Sequence, residues 1–243
     1  MNTPIKFTPT FYQHAPQLSA GSLHLWWLPL TLNESQHQQA LLLLNDAQRN
    51  KYQRRNTPIL KERYLAGRYF LYTLLAHYTN VDAKTIILEY SRFNKPYLKA
   101  NPQPIQFNYT DTNGYGLFAF SNTVELGIDV EQCSRTGAFS SIVRKRFTDQ
   151  EQEYVTNRQG NIDTQRFLAY WTRKEAYGKA LGVGINFQMN QVNLHSKDHT
   201  KQLTDPDWTL KQLNLPDQHI GCLVHQGHTP MTMSYLSLKT TND

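Results

Sequence analysis

Leu126-Gly127-Ile128-Asp129-Val130-Glu131, near the middle of a chain of 243 residues, is the stretch on which the reading turns. Its period-two alternation makes it a strand, with Ile128 and Val130 entering a core and Asp129 and Glu131 side by side on the other face. Adjacent carboxylates repel unless a cation or a proton lies between them. A hard divalent ion with oxygen ligands satisfies them, and magnesium is the usual one where phosphate is also bound. Two solvated acids on an edge strand have the same pattern, so the pair alone leaves both readings open.

Further along, Trp171-Thr172-Arg173-Lys174-Glu175-Ala176-Tyr177-Gly178-Lys179 lies within a long helix expected from Asp163 to Ala180. Glu175 and Lys179 are i,i+4 neighbours there, and Trp171 lies one turn before Glu175 on the same side. A surface Glu–Lys pair beside a core tryptophan has that spacing too. Opposite an acidic strand, however, a third carboxylate and a lysine form a site for a metal-bridged diphosphate.

Around these segments the pattern alternates strands and helices. Strands are expected at Leu23–Leu28, Thr85–Tyr90, Trp208–Leu215, Ile220–His225 and Met231–Leu238, with a hairpin of Phe107–Tyr109 and Gly116–Ser121 across Asp111–Gly114. Helices are expected over Gln36–Asn45, Leu60–Tyr78, Ser140–Arg146 and Asp149–Asn157. The fold class is α/β (α+β), with two similar, pseudo-symmetric lobes: residues 1–122, and residues 123–243 carrying both acidic segments.

The net charge of +6 and pI near 9.2 suit a polyanionic partner, whether nucleic acid, a phosphorylated small molecule or an acidic protein. Cys133 and Cys222 cannot build a disulfide framework or a zinc site, which points to a reduced, cytoplasmic setting. No apolar stretch approaches the ~20 residues of a membrane span, and residues 1–20 lack a signal-peptide pattern.

The two segments, in this order, resemble the paired signature of the Sfp-type 4′-phosphopantetheinyl transferases: a G-(I/V)-D-x-E strand and a (F/W)-(S/T/C)-x-K-E-(A/S)-x-x-K helix. Lys95-Pro96-Tyr97 is similar to the family's K-P element, and Phe107-Asn108-Tyr109-Thr110 to its F-N-x-S strand. Arg144-Lys145-Arg146-Phe147 with Glu151 resembles its K-R-F-F…E segment, and Arg63-Tyr64-Leu65-Ala66-Gly67 its arginine-bearing helix. One departure is plain: the family usually reads F-N-x-S-H-S, and this chain has Asp111 where the histidine stands. An acid there repels phosphate, so the contact falls to the Thr110 and Thr112 hydroxyls and to backbone N–H groups.

The resemblance implies the 4′-phosphopantetheinyl transferase fold and Mg²⁺-dependent transfer of 4′-phosphopantetheine from coenzyme A to a carrier serine. The carrier is an acyl or peptidyl carrier protein of fatty-acid, polyketide or nonribosomal-peptide synthesis, and adenosine 3′,5′-bisphosphate is released, as in a holo-[acyl-carrier-protein] synthase. It assigns Asp129, Glu131 and Glu175 to the metal. Glu175 is also the general base, acting directly or through a metal-bound water, and Lys179 acts beside the diphosphate. Lys51, Arg63, Lys95, Thr110, Asp111 and Lys179 fall where the family meets coenzyme A. An acidic carrier bound transiently suits Arg144-Lys145-Arg146, and a monomer free of nucleic acid and membrane follows. Two rivals remain: a nucleic-acid-binding protein, which leaves the three acids unexplained, and a catalytically idle relative acting as a binding module.

Overall fold

Every residue of β3 (Ser22–Pro29) up to Leu28 is buried, which explains why its apolar alternation is imperfect: both of its faces are covered. Trp26 and Leu28 join one core cluster while Leu23, Leu25 and Trp27 join another. The structure, a computed structural model, describes residues 5–6, 10–12, 16–99, 105–184, 188–195, 200–202, 207–229 and 231–238.

Before β3 lie two short strands, β1 (Ile5–Lys6) and β2 (Thr10–Tyr12). After it come α1 (Glu34–Leu43), α2 (Asp46–Gln53) and α3 (Pro58–Thr79), then β4 (Leu88–Tyr90) and β5 (Pro96–Leu98). The hairpin of β6 (Gln106–Thr112) and β7 (Tyr115–Ser121) leads into β8 (Leu126–Gln132). Three helices follow, α4 (Ser140–Arg146), α5 (Asp149–Val155) and α6 (Thr164–Ala180). The remaining strands are β9 (Thr200–Gln202), β10 (Trp208–Leu215), β11 (His219–Gln226) and β12 (Thr232–Leu238).

One sheet runs β2-β12-β3-β7-β6 and carries α3; the other runs β1-β10-β11-β8, with β9 also on β10, and carries α6. β4 and β5 form a separate ribbon. Between the two large sheets lies a shared core in which Leu25, Leu117 and Ala119 meet Ile128, Leu213 and Leu223. The terminal strands cross over. β12 pairs parallel with β3 in the sheet of the first half, and β1 pairs parallel with β10 in that of the second.

Three local readings are corrected. The single helix expected over Gln36–Asn45 ends at Leu43, and the basic stretch beyond it is α2, a separate helix. Each has an asparagine capping box, Asn33 with Gln36 and Asn45 with Gln48, so Asn45 starts a helix rather than closing one. The strand expected over Thr85–Tyr90 begins with a 3₁₀ turn, Ala83–Thr85, capped by Asp82, and only Leu88–Tyr90 is paired. The β6–β7 hairpin is longer than expected. Asn113 and Gly114, with φ of 38° and 89°, form a two-residue turn whose positive φ angles suit the twist of the strands.

Candidate active site

β8 is an edge strand of its sheet, and β6 is an edge strand of the other. They meet through Asn108 on β6, whose Oδ1 accepts a hydrogen bond from Ile128 N at 3.1 Å. On its other side β8 receives α6. A Cβ at Gly127 would lie 2.2 Å from Ala176 O and 2.3 Å from Ala180 N, so only glycine lets the helix backbone approach this closely. This approach brings Glu175 and Lys179 to the face of β8 that presents Asp129 and Glu131. As the alternation predicts, Ile128 and Val130 are in the core.

Asp129 is 6% exposed. Its Oδ1 accepts from Lys179 Nζ at 2.7 Å and from Thr110 Oγ1 at 3.3 Å, while Lys179 also donates to Thr110 Oγ1 at 3.1 Å. Its Oδ2 is buried with no hydrogen-bond partner among the described residues. Glu131 is gripped by Arg135 one turn beyond. Burial raises the carboxyl of Asp129 above its usual range, and Lys179 pulls it partly back. Glu131 and Glu175 are raised first by burial and then by the charge of Asp129. Glu175 is in turn eased by Lys179, Arg146 and Arg135. Desolvation thus opposes ionisation of all three acids, and at Glu131 and Glu175 the charge of Asp129 adds to it.

The donor set suits a hard divalent cation, since all three groups are carboxylates and one oxygen is buried without a partner. As the side chains stand, no group of three or more His, Cys, Asp or Glu among the described residues is arranged to hold a metal. Lys179 occupies Asp129 Oδ1 and Arg135 occupies Glu131.

A cleft of three adjoining hollows leads to this point, with Tyr109 walling each. The largest, about 600 Å³, is lined by Lys51, Tyr64, Arg68, Tyr90 and Asn108. A hollow of about 160 Å³ runs past Phe93, Gly182 and Gly184 to Lys179. The third, about 210 Å³, lies among Arg55, Arg63, Arg68 and Asp111. Arg63 Nη2 stands 3.9 Å from Asp111 Oδ2, so the acid in the histidine's place faces a guanidinium. The Nε atoms of Arg63 and Arg68 are both buried without hydrogen-bond partners among the described residues.

Residues 125–226 match the family model of the 4′-phosphopantetheinyl transferase superfamily. Over 205 residues the chain is 30% identical to 4′-phosphopantetheinyl transferase HetI of Nostoc sp., covering 83% of this chain and 86% of that protein. The chain belongs to this family. It is also 25% identical over 204 residues to a phosphopantetheinyl transferase of Thraustochytrium sp., covering 76% of this chain and 71% of the relative. A match of 30% identity over 138 residues joins it to the mouse L-aminoadipate-semialdehyde dehydrogenase-phosphopantetheinyl transferase, covering 53% of this chain and 45% of the relative.

Within this phosphopantetheinyl transferase, Asp129, Thr110 and Lys179 are in direct contact, and Glu131 and Glu175 stand near enough to feel the charge of Asp129. Lys51 lines the large hollow, and Arg63 faces Asp111 in the third. Lys95 differs from the contact the resemblance implies. Its Nζ donates to Glu125 Oε2 at 2.6 Å and to Ala180 O at 2.9 Å, so its charge is engaged within the protein.

Two cleft residues escaped the sequence reading as site residues. Arg68 sits over the rings of Tyr64 and Tyr109, at 5.5 and 5.8 Å. Tyr109 stacks on Phe118 at 4.7 Å, and a Cβ at Gly67 would lie 2.2 Å from its hydroxyl. The i,i+4 spacing of Tyr64 and Arg68 was a usable signal that both face one side of α3. Lys174, inside the helical signature, is structural. Fully buried, it pairs with Glu151 at 2.7 Å and donates to Met189 O and Val192 O, tying the segment after α6 to α5.

Proposed function

We propose that this protein transfers the 4′-phosphopantetheine arm of coenzyme A to a serine of an acyl or peptidyl carrier protein, releasing adenosine 3′,5′-bisphosphate. The observation that carries the reading is the buried, half-satisfied Asp129, held by Lys179 at the end of a basic, tyrosine-walled cleft. Such a cleft suits a nucleotide: its aromatic walls accept a base and its guanidinium and ammonium groups accept phosphates.

In this reading Lys51, Arg63 and Arg68 bind the phosphates of the adenosine end, with Thr110 donating its hydroxyl near the reacting diphosphate. Asp111 keeps Arg63 extended toward the third hollow. Asp129, Glu131 and Glu175 hold Mg²⁺, which neutralises charge on the transferring and leaving phosphates when bound. Lys179 then exchanges its bond to Asp129 for one to a phosphate oxygen and adds positive charge where it develops. Glu175 takes the serine proton, directly or through a water. Burial of Asp129 strengthens these electrostatic interactions.

An acidic carrier meets Arg144, Lys145 and Arg146 on α4, a helix with no acid of its own. The division into lobes 1–122 and 123–243, a monomeric state and a cytoplasmic setting belong to the same reading. Among the described residues no helix is long and apolar enough to cross a membrane.

The test is incubation with an apo carrier, coenzyme A and Mg²⁺, followed by mass spectrometry of the carrier. The arm should appear on serine and should be absent when Mg²⁺ is chelated. Failure to modify any fatty-acid, polyketide or peptide carrier overturns the proposal.

A further inference from the structure

The lysine of Lys95-Pro96-Tyr97 is the residue whose surroundings depart most from a ligand contact. Its backbone is fixed first. Ser91 Oγ accepts from Phe93 N at 3.3 Å and from Lys95 N at 3.1 Å, and Ser91 N donates to Lys95 O at 2.9 Å. Asn94 closes this turn with φ of 65°, a left-handed conformation that asparagine tolerates. The side chain then runs across Gly182, where an added Cβ would lie 3.2 Å from Lys95 Cδ. Only 17% of the side chain is exposed.

At the end of this path, Nζ meets two groups belonging to the elements that carry the site. Ala180 O is a carbonyl of the last turn of α6, the helix of Glu175 and Lys179. Glu125 directly precedes β8, the strand of Asp129 and Glu131, and its backbone is anchored by Gln226 N at 2.9 Å. A cation at a helix C-terminus is favourable in itself, because it meets carbonyls that lack partners within the helix. Here the same cation also reaches the root of the neighbouring strand.

We infer that Lys95 is a positioning residue: it fastens the C-terminal end of α6 to the start of β8 and so fixes Glu175 and Lys179 against Asp129. This rests on the transferase reading for its catalytic consequence, but the fastening itself does not. Gly127 lets the two backbones touch, which sets their separation. Lys95 resists sliding of the helix along the strand. Its two partners, at 2.6 and 2.9 Å, lie one directly before the strand and one on the helix, and the carbonyl of Ala180 is main chain that no side-chain rearrangement can withdraw.

Lys95→Met and Glu125→Gln are compared with the wild type by amide hydrogen exchange and by transfer kinetics, after thermal unfolding shows that each is folded. Both variants should speed exchange in the last turn of α6 and at Leu181 to Gly184. Displacement of catalytic groups by as much as an ångström costs ~100-fold in rate, so a partial loosening should lower kcat by about 10-fold or more. The KM for coenzyme A should stay within about twofold, and the double variant should be no worse than Lys95→Met, because partners in one contact are not additive. A raised KM with unchanged kcat in Lys95→Met, and a silent Glu125→Gln, would identify a phosphate contact and overturn the inference. Unchanged hydrogen exchange in both variants overturns it as well. If the wild type modifies no carrier, the transferase reading fails instead, and the exchange data alone still decide whether the fastening exists.

Discussion

Replacing Gly127 by alanine tests the geometry of the whole site with one methyl group. The new Cβ would meet Ala176 O at 2.2 Å, Ala180 N at 2.3 Å and Ala180 Cα at 2.8 Å, all backbone atoms that no rotamer change can move. Relief to the 3.0 Å below which Cβ contacts are essentially never found requires α6 to back off by about 0.8 Å. Overpacking of this kind costs about 1–3 kcal/mol. For a chain of this size, that lowers the Tm by roughly 2–4 °C per kcal/mol. The same displacement carries Glu175 and Lys179 away from Asp129, and a shift near 1 Å costs on the order of 100-fold in rate. Circular-dichroism melting and carrier-modification kinetics read the two effects separately. Gly127→Ala should fold, melt a few degrees lower and lose most of its kcat. An alanine variant with wild-type Tm and wild-type kcat would refute the claim that close backbone contact builds the site.

Glu175→Gln removes the proposed base and one carboxylate while keeping the shape; turnover should fall by at least ~100-fold, and binding of coenzyme A followed by calorimetry should persist. Lys174→Met leaves Glu151 without its counter-ion in the core, which should cost about 3–5 kcal/mol in urea denaturation. Adding Glu151→Gln, which removes the charge but keeps an acceptor for Thr148 N or Leu194 N, should recover part of it. His24 provides the pH test. Trp26 Nε1 donates to Tyr78 Oη at 2.8 Å, and Tyr78 Oη shares a hydrogen bond with His24 Nδ1, also at 2.8 Å, in the core. Burial lowers the pKa of His24 from 6.5 to about 4. The unfolded chain therefore binds more protons at this residue between those values, so the stability that His24 contributes is complete above pH 6.5 and declines as the pH falls to about 4. The loss attributable to His24 amounts to about 3 kcal/mol. His24→Gln should flatten that part of the profile, and an unchanged slope would show that another group is responsible.

The acidic strand and its helix were legible in the sequence because both periodicities act locally. Residues two apart on a strand share a face, and residues four apart on a helix stack, whatever the rest of the chain does. Contacts that depend on tertiary approach were not legible. The bond from Lys179 to both Asp129 and Thr110 joins three elements, and the partners of Lys95 lie 30 and 85 residues away along the chain. The buried Lys174 was hidden for a related reason. A lysine in a polar signature reads as an exposed or catalytic group, and only the fold shows Glu151 and two carbonyls closing around it. At α2 the signal was present in Asn45 and Gln48, but the leucine run before it masked the break.

The crossed terminal strands give the protein a timetable. β3 gains its β12 neighbour through pairs such as Leu25 with Tyr235, and Ser237 Oγ closes on Trp27 O, so one side of β3 stays bare until residues 232–238 leave the ribosome. A bare strand edge recruits other strands, and distant pairings form slowly. Until then the nascent chain carries a hydrophobic sheet unfinished along that edge. Shortening it at residue 231 would leave the acidic site untouched in sequence yet deprive the first sheet of a central member.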